Sequence, residues 1–294
     1  MAELTLQTLL EAGAHFGHQT SRWNPKMQRY ILTAKNGIHL INLKETLTCI
    51  AAAKKKLVEV VESGGFILFV GTKTQAQDVV GEAAELAKQF YINQRWLGGL
   101  LTNYETVKRS IRKVDDIDKA EADGTFGILP KKEVNILKKK RENILTDLKG
   151  VREMKHLPGA VVVVDIIKEH IAVAEANRLG IPIIAIVDTN SDPTQVNYPM
   201  PANDDSLKTI SLILMELATA IAATPVKYVR KDEKEDVVDG KRRVVKRKVV
   251  KKIIKKKRLK STVEAGAADA ETVMVDADGD DEEVEVVEVV EVKE

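Results

Sequence analysis

His15 and His18 stand three residues apart in Gly13-Ala-His-Phe-Gly-His-Gln19. A zinc site would need further Cys or His ligands beside such a pair. The chain offers three other histidines (His39, His156, His170) and one cysteine, Cys49, none at ligand spacing from the pair. Contacts to backbone or phosphate fit the two imidazoles better, and no metal or cofactor is expected. The stretch Ser21-Arg-Trp-Asn-Pro-Lys-Met-Gln-Arg-Tyr30 gathers Arg22, Lys26 and Arg29 with Trp23, Asn24 and Tyr30 around Pro25. Basic groups bind phosphates, and planar rings stack on bases or sugars. A second cluster, Gln94-Arg-Trp-Leu-Gly-Gly-Leu-Leu-Thr-Asn-Tyr104, holds Arg95, Trp96 and Asn103, with Lys108 and Arg109 close behind. Gly98 and Gly99 there permit tight turns. Trp23 and Trp96 have two readings, as core anchors or as stacking platforms. The neighbouring Arg and Asn residues are the better candidates for direct contact.

Gly71-Thr-Lys73 follows a strand pattern and opens a helical one. A helix N-terminus there could hold an anion, and Lys73 could reach a phosphate. Neither GxxxxGK[ST] nor GxGxxG occurs, which removes the main support for an NTPase or a dinucleotide enzyme. Asp165 and Asp188 fall at strand ends, with Asp192, Asp204 and Asp205 nearby in sequence. Carboxylates at that edge of a parallel sheet could hold Mg²⁺ or serve catalysis. The structural alternative is favoured: Asp204 and Asp205 cap a helix, while Asp188 and Asp192 organise the turn through Pro193. No GxSxG, HExxH, CxxC or kinase signature appears, so no catalytic residue is assigned.

These residues need elements to position them. Gly65–Gly71, Gly159–Asp165 and Ile181–Asp188 are continuous apolar runs, the pattern of strands covered on both faces. Helical patterns occupy Thr46–Glu62, Thr74–Lys88, Glu169–Arg178 and Ser206–Ala223. This alternation predicts right-handed βαβ units and an open parallel α/β sheet with helices on both faces. Thr102–Asp118 and Lys131–Lys155 break the rhythm as long charged helices joined by a turn-rich stretch. Val134, Leu137, Ile144, Leu148 and Val151 follow a heptad that Arg141 interrupts, which predicts an antiparallel coiled-coil hairpin over 103–155.

The chain has 294 residues, 44% of them hydrophobic, enough for a sizeable core. One cysteine excludes an internal disulfide, and a reducing compartment fits. No apolar run reaches the roughly 18 residues of a membrane span, and the N-terminus does not read as a signal peptide. A cytoplasmic, soluble protein without membrane partners is expected. The net charge of +2 hides a segregation. Lys241–Lys260 holds 13 Lys/Arg and no acid, and Glu264–Glu294 holds 13 acids and one Lys. We read 1–228 as an α/β body and 229–294 as a flexible basic-then-acidic tail. The polybasic part favours polyanions such as RNA. Val244–Ile254 could form an amphipathic helix on a partner.

Several motifs together carry a resemblance. Gly13-Ala-His-Phe-Gly-His18, Arg22-Trp-Asn-Pro-Lys-Met27, Gly37-Ile-His-Leu-Ile-Asn-Leu43, Gly71-Thr-Lys73, Arg95–Asn103 and Asp188-Thr-Asn-Ser-Asp-Pro193 occur in one order. The chain is similar, from about Thr5 to Pro225, to the bacterial small-subunit ribosomal protein S-two family. The resemblance implies a flavodoxin-like three-layer α/β fold with five parallel strands and an inserted antiparallel coiled-coil hairpin. Two further strands would then lie near Gln89–Ile92 and Asn197–Met200. It implies a non-enzymatic, ribosome-associated constituent of the small ribosomal subunit that binds small-subunit rRNA and supports translation. Other small-subunit ribosomal proteins, including ribosomal protein S-one, would be partners. The expected RNA contacts are His15, His18, Arg22, Trp23, Asn24, Lys26, Lys73, Arg95, Trp96, Asn103, Lys108 and Arg109. Asn42, Ser191, Asn197 and Ala202 depart from the family's usual Asp, Cys, Asp and Gly, which weakens a metal or polar site at the strand ends. The rival readings are a protein-interaction adaptor and a flavodoxin-like enzyme using those carboxylates.

Overall fold

The computed structural model describes residues 4–127 and 129–225, and beyond them two backbone pieces at 237–238 and 241–242. The chain divides into two units, Met1–Val229 and Arg230–Glu294. In the second unit, Val237–Val238 pairs antiparallel with Lys241–Arg242. The expected tail and its Val244–Ile254 segment otherwise lie outside the described residues.

In the first unit, α1 (Leu6–Glu11) is followed by β1 (Phe16–Gln19), β2 (Ile31–Lys35) and β3 (Ile38–Ile41). The next elements are α2 (Leu43–Glu62), β4 (Ile67–Val70), α3 (Gln77–Ala87) and β5 (Phe90–Ile92). Two long helices, α4 (Tyr104–Ala122) and α5 (Lys131–Leu148), precede β6 (Ala160–Val164) and α6 (His170–Arg178). The unit closes with β7 (Ile183–Val187), β8 (Tyr198–Pro201) and α7 (Leu207–Ala222).

Five of these strands form one parallel sheet in the order β5-β4-β6-β7-β8. Numbered within the sheet this is 2-1-3-4-5, the flavodoxin-like order. Both faces are covered, which is why β4, β6 and β7 are apolar at every position. Ile67, Phe69, Val162, Val164, Ile184 and Ile186 meet α1, α2, α3 and α7 on one face. Leu68, Val70, Val161, Val163, Ile183 and Ala185 meet α6, Trp96 and the base of the α4–α5 pair on the other. Full burial of each such side chain contributes roughly 2 kcal/mol, so the two layers supply most of the fold's driving force.

Local signals set the helix ends. The Asn42 side chain accepts from Lys44 N at 3.2 Å and caps α2. Asn197 Oδ1 accepts from Ile183 N at 2.9 Å beside the start of β7. Both departures from the family pattern therefore serve local hydrogen bonds. The cap of α7 corrects the sequence expectation: Ser206, not Asp204 or Asp205, accepts from Thr209 N. Asp204 is drawn inward instead, as described below. The antiparallel sheet β1-β3-β2 was not expected either. Leu32 to Lys35 are exposed, so that strand shows no alternation of apolar and polar residues.

Candidate nucleic-acid interface

The carboxyl ends of β4 and β6 mark the point where strand order reverses, where open α/β sheets bind ligands. Here the chain fills that point itself. The Glu169 carboxylate, buried at 2% exposure, accepts from Thr72 N at 2.8 Å, where a ligand anion would sit. Burial pushes the Glu169 carboxyl up, against the Thr72 bond. Lys73 Nζ lies 2.8 Å from Asp204 Oδ1, 2.6 Å from Asp205 Oδ1 and 3.6 Å from Asp165 Oδ2. Burial works against the Lys73 ammonium, but these carboxylates outweigh it and raise its pKa. Lys73 is therefore engaged internally as a counter-ion to these carboxylates. Asp165 takes a left-handed φ of 65° and accepts from Ile167 N and Lys168 N at 2.9 and 3.2 Å.

His18, on β1, faces the same cluster. Its backbone N donates to Thr189 Oγ1 at 2.8 Å, and its Nδ1 lies 2.9 Å from Asp188 Oδ2. The hydrogen bond to Asp188 raises the imidazole pKa, against burial. Gly17 permits this approach: a Cβ there would meet Thr189 Cγ2 at 2.6 Å. His15 is half-buried beside Phe16, and its buried Nδ1 has no hydrogen-bond partner among the described residues. Burial lowers its pKa. Both imidazoles thus belong to the packing of β1. His18, Asp188 and Asp204 place possible ligand atoms within 4.8 Å of one another.

The loop before β2 is pinned from two sides. Asn24 N donates to Thr189 O at 2.8 Å, and Asn24 Oδ1 accepts from Lys26 N at 3.0 Å. Met27 and Tyr30 are buried in the layer that holds Trp96 and Leu100. Lys26 Nζ pairs with Asp192 Oδ2 at 2.6 Å. Asp192 in turn accepts from Thr194 N, so its role as turn organiser is the one observed. Arg22 is exposed, and Trp23 is 36% exposed with its ring 5.1 Å from that of His39.

The second cluster is organised by a residue that sequence reading missed. Glu175, on α6, accepts from Trp96 Nε1 at 3.1 Å and Gly99 N at 2.7 Å. It also accepts from Leu101 N at 3.0 Å and from Thr102 N and Oγ1 at 3.1 and 3.2 Å. Burial acts to raise this carboxyl, but the convergent donors win and hold it below its ordinary value. Trp96 is 7% exposed and anchors the core, the first of its two readings. Arg95 stays exposed beside it, as do Asn103 and Arg109, while Lys108 is half-buried. Asn103 accepts the Thr106 hydroxyl at 2.8 Å. The one sequence signal for Glu175 was an acid inside the Ala-Val-Ala-Glu-Ala run of α6.

The α4–α5 pair runs antiparallel, as its ion pairs show. Lys138 meets Glu121 at 3.0 Å, Arg141 meets Asp118, and Arg152 meets Asp115 at 2.5 Å and Asp118 at 3.0 Å. Arg141, which breaks the heptad, turns to Asp118 rather than into the seam. Ile111, Val114 and Ile117 of α4 are buried, as are Leu148 and Val151. Gly150 lets the base of the pair pass β5, since a Cβ there would meet Tyr91 O at 2.2 Å.

A flavodoxin-like sheet whose ligand cleft is filled by its own Glu169 and Lys73, with basic residues turned outward, has the build of a scaffold protein. The family model described as ribosomal protein S2 matches residues 9–224. The chain belongs to that family, and so to the structural, non-enzymatic proteins of the small ribosomal subunit. Among the described residues no helix is long and apolar enough to cross a membrane.

Proposed function

We propose that the chain binds small-subunit rRNA and so supports translation, acting as a folded scaffold rather than a catalyst. One observation carries this reading. The two loops rich in basic residues are fastened to the same apolar layer by Met27, Tyr30, Trp96 and Leu100, while Arg22 and Arg95 remain in solvent. The guanidinium groups are available to phosphates while the backbone beneath them is fixed. Arg22, Trp23, Asn24, Lys26, Arg95, Asn103, Lys108 and Arg109 form the contact set. Lys26 exchanges Asp192 for phosphate on binding. Phosphate neutralisation supplies affinity, and fit to folded RNA supplies specificity.

The protruding α4–α5 pair serves the same reading as a coiled-coil arm reaching beyond the sheet domain. Docking of other small-subunit ribosomal proteins, ribosomal protein S-one among them, completes it and rests on the family membership. Binding of the full chain to small-subunit rRNA across a salt series tests the reading. The affinity falls steeply with salt, and Arg22→Ala with Arg95→Ala reduces the slope by about 2. A salt-independent affinity, or an unchanged slope in the double variant, contradicts it.

A further inference from the structure

Trp23 stands in a stretch without negative charge. From Ala12 to Lys44 the chain places Arg22, Lys26, Arg29, Lys35 and Lys44, and no Asp or Glu. The backbone around Trp23 is held on both sides. Thr20 N donates to Gly37 O at 2.9 Å, at the turn between β2 and β3, and Asn24 N donates to Thr189 O at 2.8 Å. One side of the indole is backed by the His39 ring, with centroids 5.1 Å apart and planes tilted by 42°. Both His39 ring nitrogens are buried without a hydrogen-bond partner among the described residues. His39 therefore supports the indole as a ring rather than as a polar bridge. Yet 36% of Trp23 stays in solvent, whereas Trp96, the other tryptophan, is 7% exposed. An indole already held in place loses little conformational freedom when a partner covers it.

Resting on the rRNA reading above, we propose that Trp23 is the stacking platform for one unpaired rRNA nucleotide. The base covers the open side of the indole, and a neighbouring phosphate meets the exposed Arg22 guanidinium. A duplex cannot supply this partner, because its bases are stacked on one another and its minor groove offers only edges and sugar hydroxyls. A splayed-out base presents a flat π-face. With His39 behind the indole, the platform takes a single base. Every base has such a face, so the platform selects unpaired over paired nucleotides rather than one base type. The surrounding cations suit phosphates, so a nucleotide is the occupant that uses both the ring and the charge.

Tryptophan emission of the full chain, titrated with protein-free small-subunit rRNA, tests the proposal. Quenching is expected in the wild type and not in Trp23→Phe, where Trp96 remains as the control for absorption by the RNA. Trp23→Ala weakens binding roughly tenfold at every salt concentration and leaves the salt slope unchanged, since an uncharged contact releases no counterions. Arg22→Ala instead lowers the slope by about 1. Trp23→Phe keeps a ring and stays within about threefold of the wild type. Circular dichroism checks that each variant is folded. Salt-dependent rRNA binding without quenching of Trp23, or wild-type affinity in folded Trp23→Ala, overturns the platform and leaves the rRNA reading standing. Absence of salt-dependent rRNA binding overturns both. Quenching by intact small subunits but not by protein-free rRNA assigns the indole to a protein contact and also overturns the platform.

Discussion

Trp96 and Glu175 are joined by an indole N–H donated to a buried carboxylate at 3.1 Å, across 79 residues of sequence. The same carboxylate collects the N–H groups of Gly99, Leu101 and Thr102. It thereby ties the loop before α4 to α6 and fixes where Arg95 and α4 leave the body. Glu175→Gln puts an amide N–H₂ among donors. We expect a loss of about 2–4 kcal/mol of stability, since a buried network is left part-satisfied. Chemical denaturation measures it, and a change below about 0.5 kcal/mol contradicts the role.

The pH dependence follows with a definite sign. Glu175 has a folded pKa below its unfolded value, because donors favour its charged form. Its contribution is present above the unfolded carboxyl pKa of about 4.3 and is lost as pH falls through the folded value. Acid unfolding of the wild-type chain is therefore steeper at the low-pH end than that of Glu175→Gln. Parallel curves for the two proteins contradict this.

His18 behaves in the opposite sense. Its pKa is raised, first by the Asp188 hydrogen bond. Its stabilising effect is complete below about pH 6.5 and is lost as pH rises through the folded value. Imidazole resonances give a His18 midpoint above 6.5, and Asp188→Asn brings it down. A midpoint at or below 6.5 in the wild-type chain contradicts the contact.

Gly17 and Gly150 mark the closest approaches of the fold. Gly17→Ala forces Cβ against Thr189 and is expected to cost about 1–3 kcal/mol, by overpacking β1 against the end of β7. Gly150→Ala meets the backbone carbonyl of Tyr91 rather than a side chain, so its cost is larger. Thermal unfolding ranks the two, and the reverse order contradicts the geometry.

Lys73 separates scaffold from contact. Lys73→Met leaves Asp204 and Asp205 without their cation. Breaking a largely buried pair costs about 3 kcal/mol once its partial solvent access is discounted. If Lys73 serves the proposed scaffold only as this internal counter-ion, the salt slope of rRNA binding stays unchanged in the variant. A reduced slope with unchanged stability contradicts the internal role.

Much of this architecture is legible in the residues. β4, β6 and β7 announce themselves as unbroken apolar runs because both of their faces are covered. β5 has three residues, and β8 contains Pro199 and Pro201, so neither shows a pattern of its own and only family resemblance located them. The basic loops were legible, but the fates of their residues were not. Trp96, Lys73 and His18 turn inward because Glu175, Asp204 and Asp188 are waiting there, at sequence separations of 79, 131 and 170 residues. Spacing along the chain carries no trace of such pairs. Arg22 and Arg95 stay exposed, and among the described residues neither pairs with a carboxylate.

Sedimentation of a lysate through sucrose at moderate and at high salt tests the central claim most directly, with the chain detected in every fraction. Comigration with the small subunit at moderate salt and loss at high salt is the predicted result. Absence from the small-subunit fractions at both salts contradicts the rRNA scaffold.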